Sequence, residues 1–255
     1  MNMNPQQTLA IIGGTGLDTL GILHVDKHEL IDTPFGEPSG PVTRGSLSGR
    51  EVLFLPRHGY NHSLPPHQVN YRANLWALRE AGADNVLAVA AVGGIRADMG
   101  PGRLVIPDQI IDYTWGRPST FFERGSGGKS EPVTHIDFTE PYCDALRQRL
   151  LKAAFAGNIT VVDGGTYAAT QGPRLETTAE IERLARDGCH LVGMTGMPEA
   201  ALARELELCY ACCAVVANWA AGKSGDIITM TDIEKNLKVG MRQVGDLLES
   251  LMSFN

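Results

Sequence analysis

Leu9-Ala10-Ile11-Ile12-Gly13-Gly14-Thr15-Gly16-Leu17-Asp18 has the form of a buried strand running into a glycine-rich turn. Apolar residues closed by glycine have the length and evenness of a strand covered on both faces. The glycines let backbone approach an anion closely, and Thr15 adds an N–H and a hydroxyl donor. A dinucleotide fingerprint would need a third Gly or Ala three residues after Gly16, where Thr19 stands. Gly222-Lys223-Ser224 has the ending of a triphosphate-binding loop, but the leading Gly of that motif falls at Ala217. The turn at 13–16 is therefore read as a site for a smaller anion.

Similar apolar runs recur at 52–55, 86–92, 104–106, 159–162, 191–194 and 208–216, separated in several places by helical patterns. Helices are expected over 71–81 and 141–156, each stopping at a glycine, Gly82 and Gly157. Thr177 with Glu180, and Thr231 with Glu234, have capping-box spacing ahead of apolar stripes. Alternation of this kind predicts an α/β fold, a single domain spanning 1–255, with a central mixed but mostly parallel sheet flanked by helices. In such sheets ligands sit beyond the carboxyl ends of strands. The glycine- and serine-rich stretch within 118–132 reads as a surface loop: an insertion, a lid or a subunit contact.

The chain has 255 residues, 43% apolar and 20% charged, with a net charge of −7, enough apolar sequence for one full core. The acidic balance argues against nucleic acid or an anionic membrane as partner. The polar start and the short apolar run after it lack the form of a leader or a spanning segment, so a cytoplasmic location is expected. Cys209 and Cys212 have CxxC spacing, but they lie in an apolar run with no second such pair, so all five cysteines are expected as reduced core thiols.

Two more donor groups follow strands. Arg57 and His58 come after the run at 52–55, where a guanidinium can grip two phosphate oxygens and an imidazole can add a donor. Thr195 follows the run at 191–194. Three strand ends thus converge on phosphate-type donors.

The chain carries, in order, the motifs Ile-Ile-Gly-Gly-Thr-Gly-Leu (11–17), Thr-Pro-Phe-Gly-Glu-Pro-Ser (33–39), Arg-His-Gly-x-x-His (57–62), Val-Asn-Tyr-x-Ala-Asn-x-Trp-Ala-Leu (69–78), Gln-Gly-Pro-Arg (171–174) and Met-Thr-Gly-Met-Pro-Glu (194–199). In this order they resemble the methylthioadenosine phosphorylase branch of the trimeric purine nucleoside phosphorylases. The resemblance implies phosphorolysis with no metal or organic cofactor, inorganic phosphate being a substrate, in a homotrimer. It implies phosphate contacts at Thr15, Arg57, His58, the Ala90-Ala91 backbone and Thr195. It further implies a ribose contact at Met194, base contacts along Asn218-Trp219-Ala220, and a loan of His135 to the neighbouring subunit's 5′ pocket.

Adenine-using members of that family look for a carboxylate at the place of Asn218, a second at Ala220 and a small hydroxyl residue at Glu176, and none is kept. A carboxylate only accepts, which suits the N1–H of a 6-oxopurine, while an amide at Asn218 can donate to O6 and accept from a protonated N7. Members that take a 5′-hydroxyl carry a His where Met230 stands; a thioether suits a methylthio group instead. Together these features are similar to the S-methyl-5′-thioinosine phosphorylase subgroup. Phosphorolysis of methylthioadenosine or of inosine and guanosine is the alternative, with a nucleoside hydrolase or a non-catalytic purine-binding module as readings from other classes.

Overall fold

A computed structural model describes residues 7–14, 22–123, 133–225 and 227–253. Thr15 and residues 124–132 of the expected surface loop lie outside the described residues. The elements, in chain order, are β1 (Leu9–Gly13), β2 (His24–Glu29), β3 (Val42–Leu47), β4 (Arg50–Pro56), α1 (Tyr71–Glu80), β5 (Asn85–Gly94), β6 (Leu104–Ile106), β7 (Gln109–Asp112), α2 (Asp144–Ala156), β8 (Val161–Asp163), β9 (Thr166–Ala169), α3 (Thr178–Arg186), β10 (Leu191–Gly193), α4 (Gly196–Glu205), β11 (Cys209–Trp219) and α5 (Met230–Ser253).

These strands form one mixed sheet in the order β2-β3-β4-β1-β5-β10-β9-β7, with β11 pairing both β5 and β6, and β6 pairing β8. β1 runs parallel to β4 and β5, β5 to β11, β6 to β8, and β9 to β7 and β10. The expected α/β class with a mostly parallel sheet is what the chain adopts. Strand period 2 divides the core. Val86, Ala88 and Val92 of β5 pack with residues of α1 and α4, while Leu87 and Val89 pack with α2 and α5.

Two of the sequence motifs turn out to be architectural. Asn70 caps α1 by accepting from Ala73 N at 3.1 Å, and its amide donates to Phe35 O at 2.8 Å. Buried Asn74 accepts from Ser39 N at 2.7 Å and donates to Ser39 Oγ at 3.0 Å. Residues 33–39 are thereby fastened to the helix that follows the phosphate-type cluster.

The structure corrects several expectations. The capping box at Thr177 and Glu180 forms, with both reciprocal bonds, but Thr231 lies inside α5; Thr229 is the capping residue there, accepting from Asp232 N at 3.2 Å. The same spacing two residues earlier wins because the helix begins at Met230. The cysteines are not all reduced: Cys143 and Cys209 are disulfide-bonded, their Cα atoms 5.2 Å apart. Cys143 caps α2 and donates its N–H to Tyr210 O at 2.7 Å, so docking of the helix start on the first residues of β11 brings the two sulfurs together. The CxxC pair does not act together. Cys209 packs with the α2 and α5 side and Cys212 with the opposite face, since residues three apart in a strand point opposite ways. Cys212 and Cys213 are free and buried, and desolvation pushes both thiols up, that of Cys213 to about 12.

Candidate active site

An interruption in the sheet makes the site. β5 is paired along one edge by β11, but on the other edge β1 pairs it only as far as Ala88 and β10 only at Gly93 and Gly94. Residues 89–92 face an opening, and Ala91 is exposed in the middle of an otherwise buried strand. The resulting cleft, of about 230 Å³, is lined by Gly14 after β1, Arg57 and His58 after β4, Ala90 and Ala91 of β5, Met194 and Thr195 after β10, and Asn218 of β11. Four strand ends therefore supply it, as an α/β sheet leads one to expect.

The phosphate-type groups form part of this lining. Arg57 is 1% exposed, and its guanidinium is committed to the protein. Nε and Nη2 donate to the two carboxylate oxygens of Glu199 at 2.6 and 2.8 Å, Nη1 donates to Val89 O at 2.9 Å, and Nη2 donates to Ile12 O at 3.1 Å. Four of the five N–H groups of an arginine are thus in use. Burial pulls Arg57 toward neutrality, but the Glu199 carboxylate outweighs it and holds the guanidinium above its usual range. The two-pronged grip expected of Arg57 is directed at Glu199 instead, and one Nη1 hydrogen is left for a ligand. Glu199 itself is fully buried and also accepts from Tyr210 Oη at 2.9 Å.

His58 donates from Nδ1 to Leu64 O at 2.8 Å, because a carbonyl can only accept. Its far edge faces the glycine turn: a Cβ at Gly14 would stand 4.0 Å from His58 Cδ2 and 3.8 Å from Cε1 of His62. The two imidazoles stack with centroids 4.3 Å apart, and His62 lines the cleft as well. Burial, then the charge on Arg57, pushes His58 down to about 4. The ring is therefore neutral near pH 7 and presents a lone pair at Nε2, where sequence reasoning expects a donor; it donates to an anion only after taking up a proton. One consequence concerns stability. As pH falls from 6.5 toward about 4, the unfolded chain binds a proton at this residue that the folded chain refuses, so folding weakens through that window. Melting temperatures followed from pH 7 to 4.5 should fall less steeply for His58→Gln than for the parent; parallel slopes would contradict the assignment.

Thr195 directly precedes α4, whose second residue, Met197, has extended backbone angles; it lines the cleft, and its N–H lies 3.5 Å from the hydroxyl of fully buried Tyr167. Glu176 and Asn218 line the same cleft. β11 bulges between Val216 and Asn218, and the carbonyl of the extra residue, Ala217, accepts from Asn236 Nδ2 of α5 at 2.9 Å. The bulge turns Asn218 into the cleft. Asn218 Nδ2 donates to Trp219 O at 2.7 Å, which fixes the amide and leaves Oδ1 and one N–H for a ligand.

The cleft brings together Arg57, His58, Ala90, Ala91, Met194, Thr195, Glu176, Asn218 and Ala220 from the set read in the sequence. Three others lie elsewhere. Trp219 points away from Asn218 and packs on Gly100, where an added Cβ would approach its ring to 3.0 Å. Met230 opens α5 and is 66% exposed; Ile233, one turn on, and Ile228 reach the cleft in its stead. His135 is exposed. Glu199 is the principal residue that sequence reading missed; the signal was a buried-strand arginine with no counter-charge nearby in the sequence.

The family described as the phosphorylase superfamily matches residues 8–253. A protein of Pseudomonas syringae pv. tomato named probable S-methyl-5′-thioinosine phosphorylase is 57% identical over 244 residues, covering 96% of this chain and 98% of that one. A 6-oxopurine nucleoside phosphorylase of Pyrococcus furiosus is 46% identical, with 88% and 84% covered. Among solved structures, methylthioadenosine phosphorylase from Schistosoma mansoni in complex with adenine superposes with a TM-score of 0.92 at 32% identity, covering 97% of this chain and 91% of that one. The open edge of β5 and the donors gathered around it thus sit in a fold and a sequence of one family, and the chain belongs to the phosphorylase superfamily.

Proposed function

We propose that the chain catalyses phosphorolysis of S-methyl-5′-thioinosine to hypoxanthine and 5-methylthioribose 1-phosphate. The observation that carries this reading is one cleft lined both by Gly14, His58 and Thr195, the groups of the expected anion site, and by a carboxylate and an oriented amide, Glu176 and Asn218. Phosphate held by backbone N–H groups attacks C1′ from below the ribose while the base leaves through an oxocarbenium-like transition state. The dianion beside that developing positive charge stabilises the transition state more than the ground state. Asn218 Oδ1 accepts from N7 as the departing base is protonated there, and its free N–H meets O6. Glu176 accepts from N1–H. A 6-aminopurine would set its N1 lone pair against that carboxylate, leaving both unpaired, a mismatch that discriminates strongly. Ile228 and Ile233 give the 5′ end an apolar wall suited to a methylthio group.

The relatives that are named for methylthioinosine and for 6-oxopurine nucleosides support this base preference. The expected outcome of a panel of methylthioinosine, methylthioadenosine, inosine and guanosine is highest kcat/KM for methylthioinosine, with activity unaltered by a chelator because no metal takes part. Highest kcat/KM for methylthioadenosine would overturn the base assignment, and equal values for inosine and methylthioinosine would overturn the 5′ assignment.

The working form proposed is a cytoplasmic homotrimer, in which His135 and Met230, both exposed in the single chain, meet a neighbouring subunit. Light scattering at the mass of one 27.5 kDa chain would contradict it.

A further inference from the structure

One hydroxyl at the base end of the cleft has a choice of partners that bears on which purine is accepted. Thr170 follows β9, and its main-chain N–H donates to Gly193 O at 2.8 Å, tying it to β10. Its carbonyl and that of Gln171 accept from Nη2 of buried Arg117 at 3.3 and 2.8 Å, and Nη1 of the same guanidinium holds Met194 O at 2.8 Å. The backbone of Thr170 is thus fixed from two sides. A β-branched side chain on a fixed backbone has little freedom at χ1, so the direction of its hydroxyl is set.

That hydroxyl lies 2.7 Å from Glu176 Oε1 and 3.3 Å from Gly193 O. It has one proton to give. The carboxylate oxygen is the nearer acceptor and the stronger one, because a bond to an ionised group is shorter and stronger than one to a neutral carbonyl. Arg174, two residues before Glu176, does not compete: its guanidinium is engaged with Glu180 at 2.8 and 2.7 Å. Among the described residues Thr170 is the hydrogen-bond partner of the Glu176 side chain.

The geometry points to Thr170 as a specificity-positioning residue, whose hydroxyl engages Glu176 Oε1 and so directs Oε2 to the N1–H of a 6-oxopurine. It rests on the base reading given above. Thr170 touches no substrate atom itself; it acts through Glu176. A donor at this place also sets polarity. As long as Thr170 gives its proton to residue 176 rather than to Gly193 O, an amide there turns its carbonyl to Thr170 and its N–H groups toward the base, the pattern opposite to what an oxopurine N1–H needs.

The test is steady-state kinetics with methylthioinosine and methylthioadenosine at saturating phosphate. For Thr170→Val the ratio of kcat/KM for the oxo over the amino nucleoside should fall about tenfold, through a higher KM for methylthioinosine with kcat nearly unchanged. Thr170→Ser, which keeps the hydroxyl, should restore the parental ratio. Glu176→Gln should lower the ratio by roughly a hundredfold, and adding Thr170→Val to it should lower the ratio no further, as expected of residues acting as one unit. Thr170→Ala provides the same comparison if the valine variant does not fold. A merely structural role would lower turnover on both nucleosides and leave the ratio alone. An unchanged ratio in the folded Thr170 variants, with the loss present in Glu176→Gln, would overturn the role of Thr170 and leave the base reading standing. An unchanged ratio in Glu176→Gln would overturn the base reading, and this inference with it.

Discussion

Asn218→Ala is expected to lower kcat by about 10²–10³, the usual effect of removing one preorganised hydrogen bond to a group that gains charge in the transition state. Two features of the structure make the residue effective. The bulge at Ala217 aims Asn218 into the cleft, and the bond from Nδ2 to Trp219 O fixes which amide atom faces the ligand. The amide therefore needs no reorientation as N7 acquires its proton. Its loss should act on kcat more than on KM, since the interaction strengthens as the base departs. Asn218 is half-buried at the end of its strand and supports no core packing, so the melting temperature should move little. Steady-state kinetics under saturating nucleoside and phosphate provide the check; a kcat within about threefold of the parent would remove Asn218 from the mechanism.

Glu199→Gln is expected to have the largest effect on stability. The Arg57 guanidinium is as buried as its partner, and the carboxylate meets it through two bonds while also accepting from Tyr210. Removing the negative charge leaves a cation enclosed without compensation, a change that costs about 3–5 kcal/mol. In a domain of this size that corresponds to a drop in melting temperature of roughly 10 °C. The pair also bears on the anion site. With Glu199 in place, Arg57 brings little net charge to the cleft and serves to hold Val89 O and Ile12 O, the carbonyls that flank the open edge of β5. On the proposed reading, phosphate is then met chiefly by main-chain N–H groups. Scanning calorimetry of the variant decides the matter: a melting temperature within about 2 °C of the parent would show that the pair is not a buried ion pair in solution.

How much of this was legible in the sequence depended on how local each signal was. The strands at 104–106 and the helix from Tyr71 were readable because a short apolar run or a one-sided stripe bounded by glycine has few other meanings. β2, with the sequence His-Val-Asp-Lys-His-Glu, was not, since it is an exposed strand held by its pairing with β3 and has no apolar pattern to read. β7 and β9, of four residues each, are likewise defined by their neighbours. At the start of α4 Met197 has extended backbone angles (φ −123°, ψ 141°), so the regular helix begins only at Pro198, a residue suited to a first turn.

The site divides in the same way. Arg57, His58 and Thr195 were found because each follows an apolar run. What they do there was not legible: the partner of Arg57 lies 142 residues away, and the tautomer of His58 is set by the Leu64 carbonyl. Glu176 and Asn218 were located by the family resemblance and read by the hydrogen-bonding types a purine edge requires, but the bulge that presents one and the hydroxyl that holds the other are tertiary. The Cys143–Cys209 bond falls in the same class, as sixty-six residues separate two cysteines that only helix docking brings together.

The central claim is that phosphate reacts at this cleft as the nucleophile that replaces the base. Phosphorus NMR of the chain incubated with methylthioinosine tests it most directly. The predicted result is one new sugar 1-phosphate resonance for each hypoxanthine released, with no release when phosphate is omitted. Hypoxanthine released at the same rate without phosphate, alongside free methylthioribose, would contradict it.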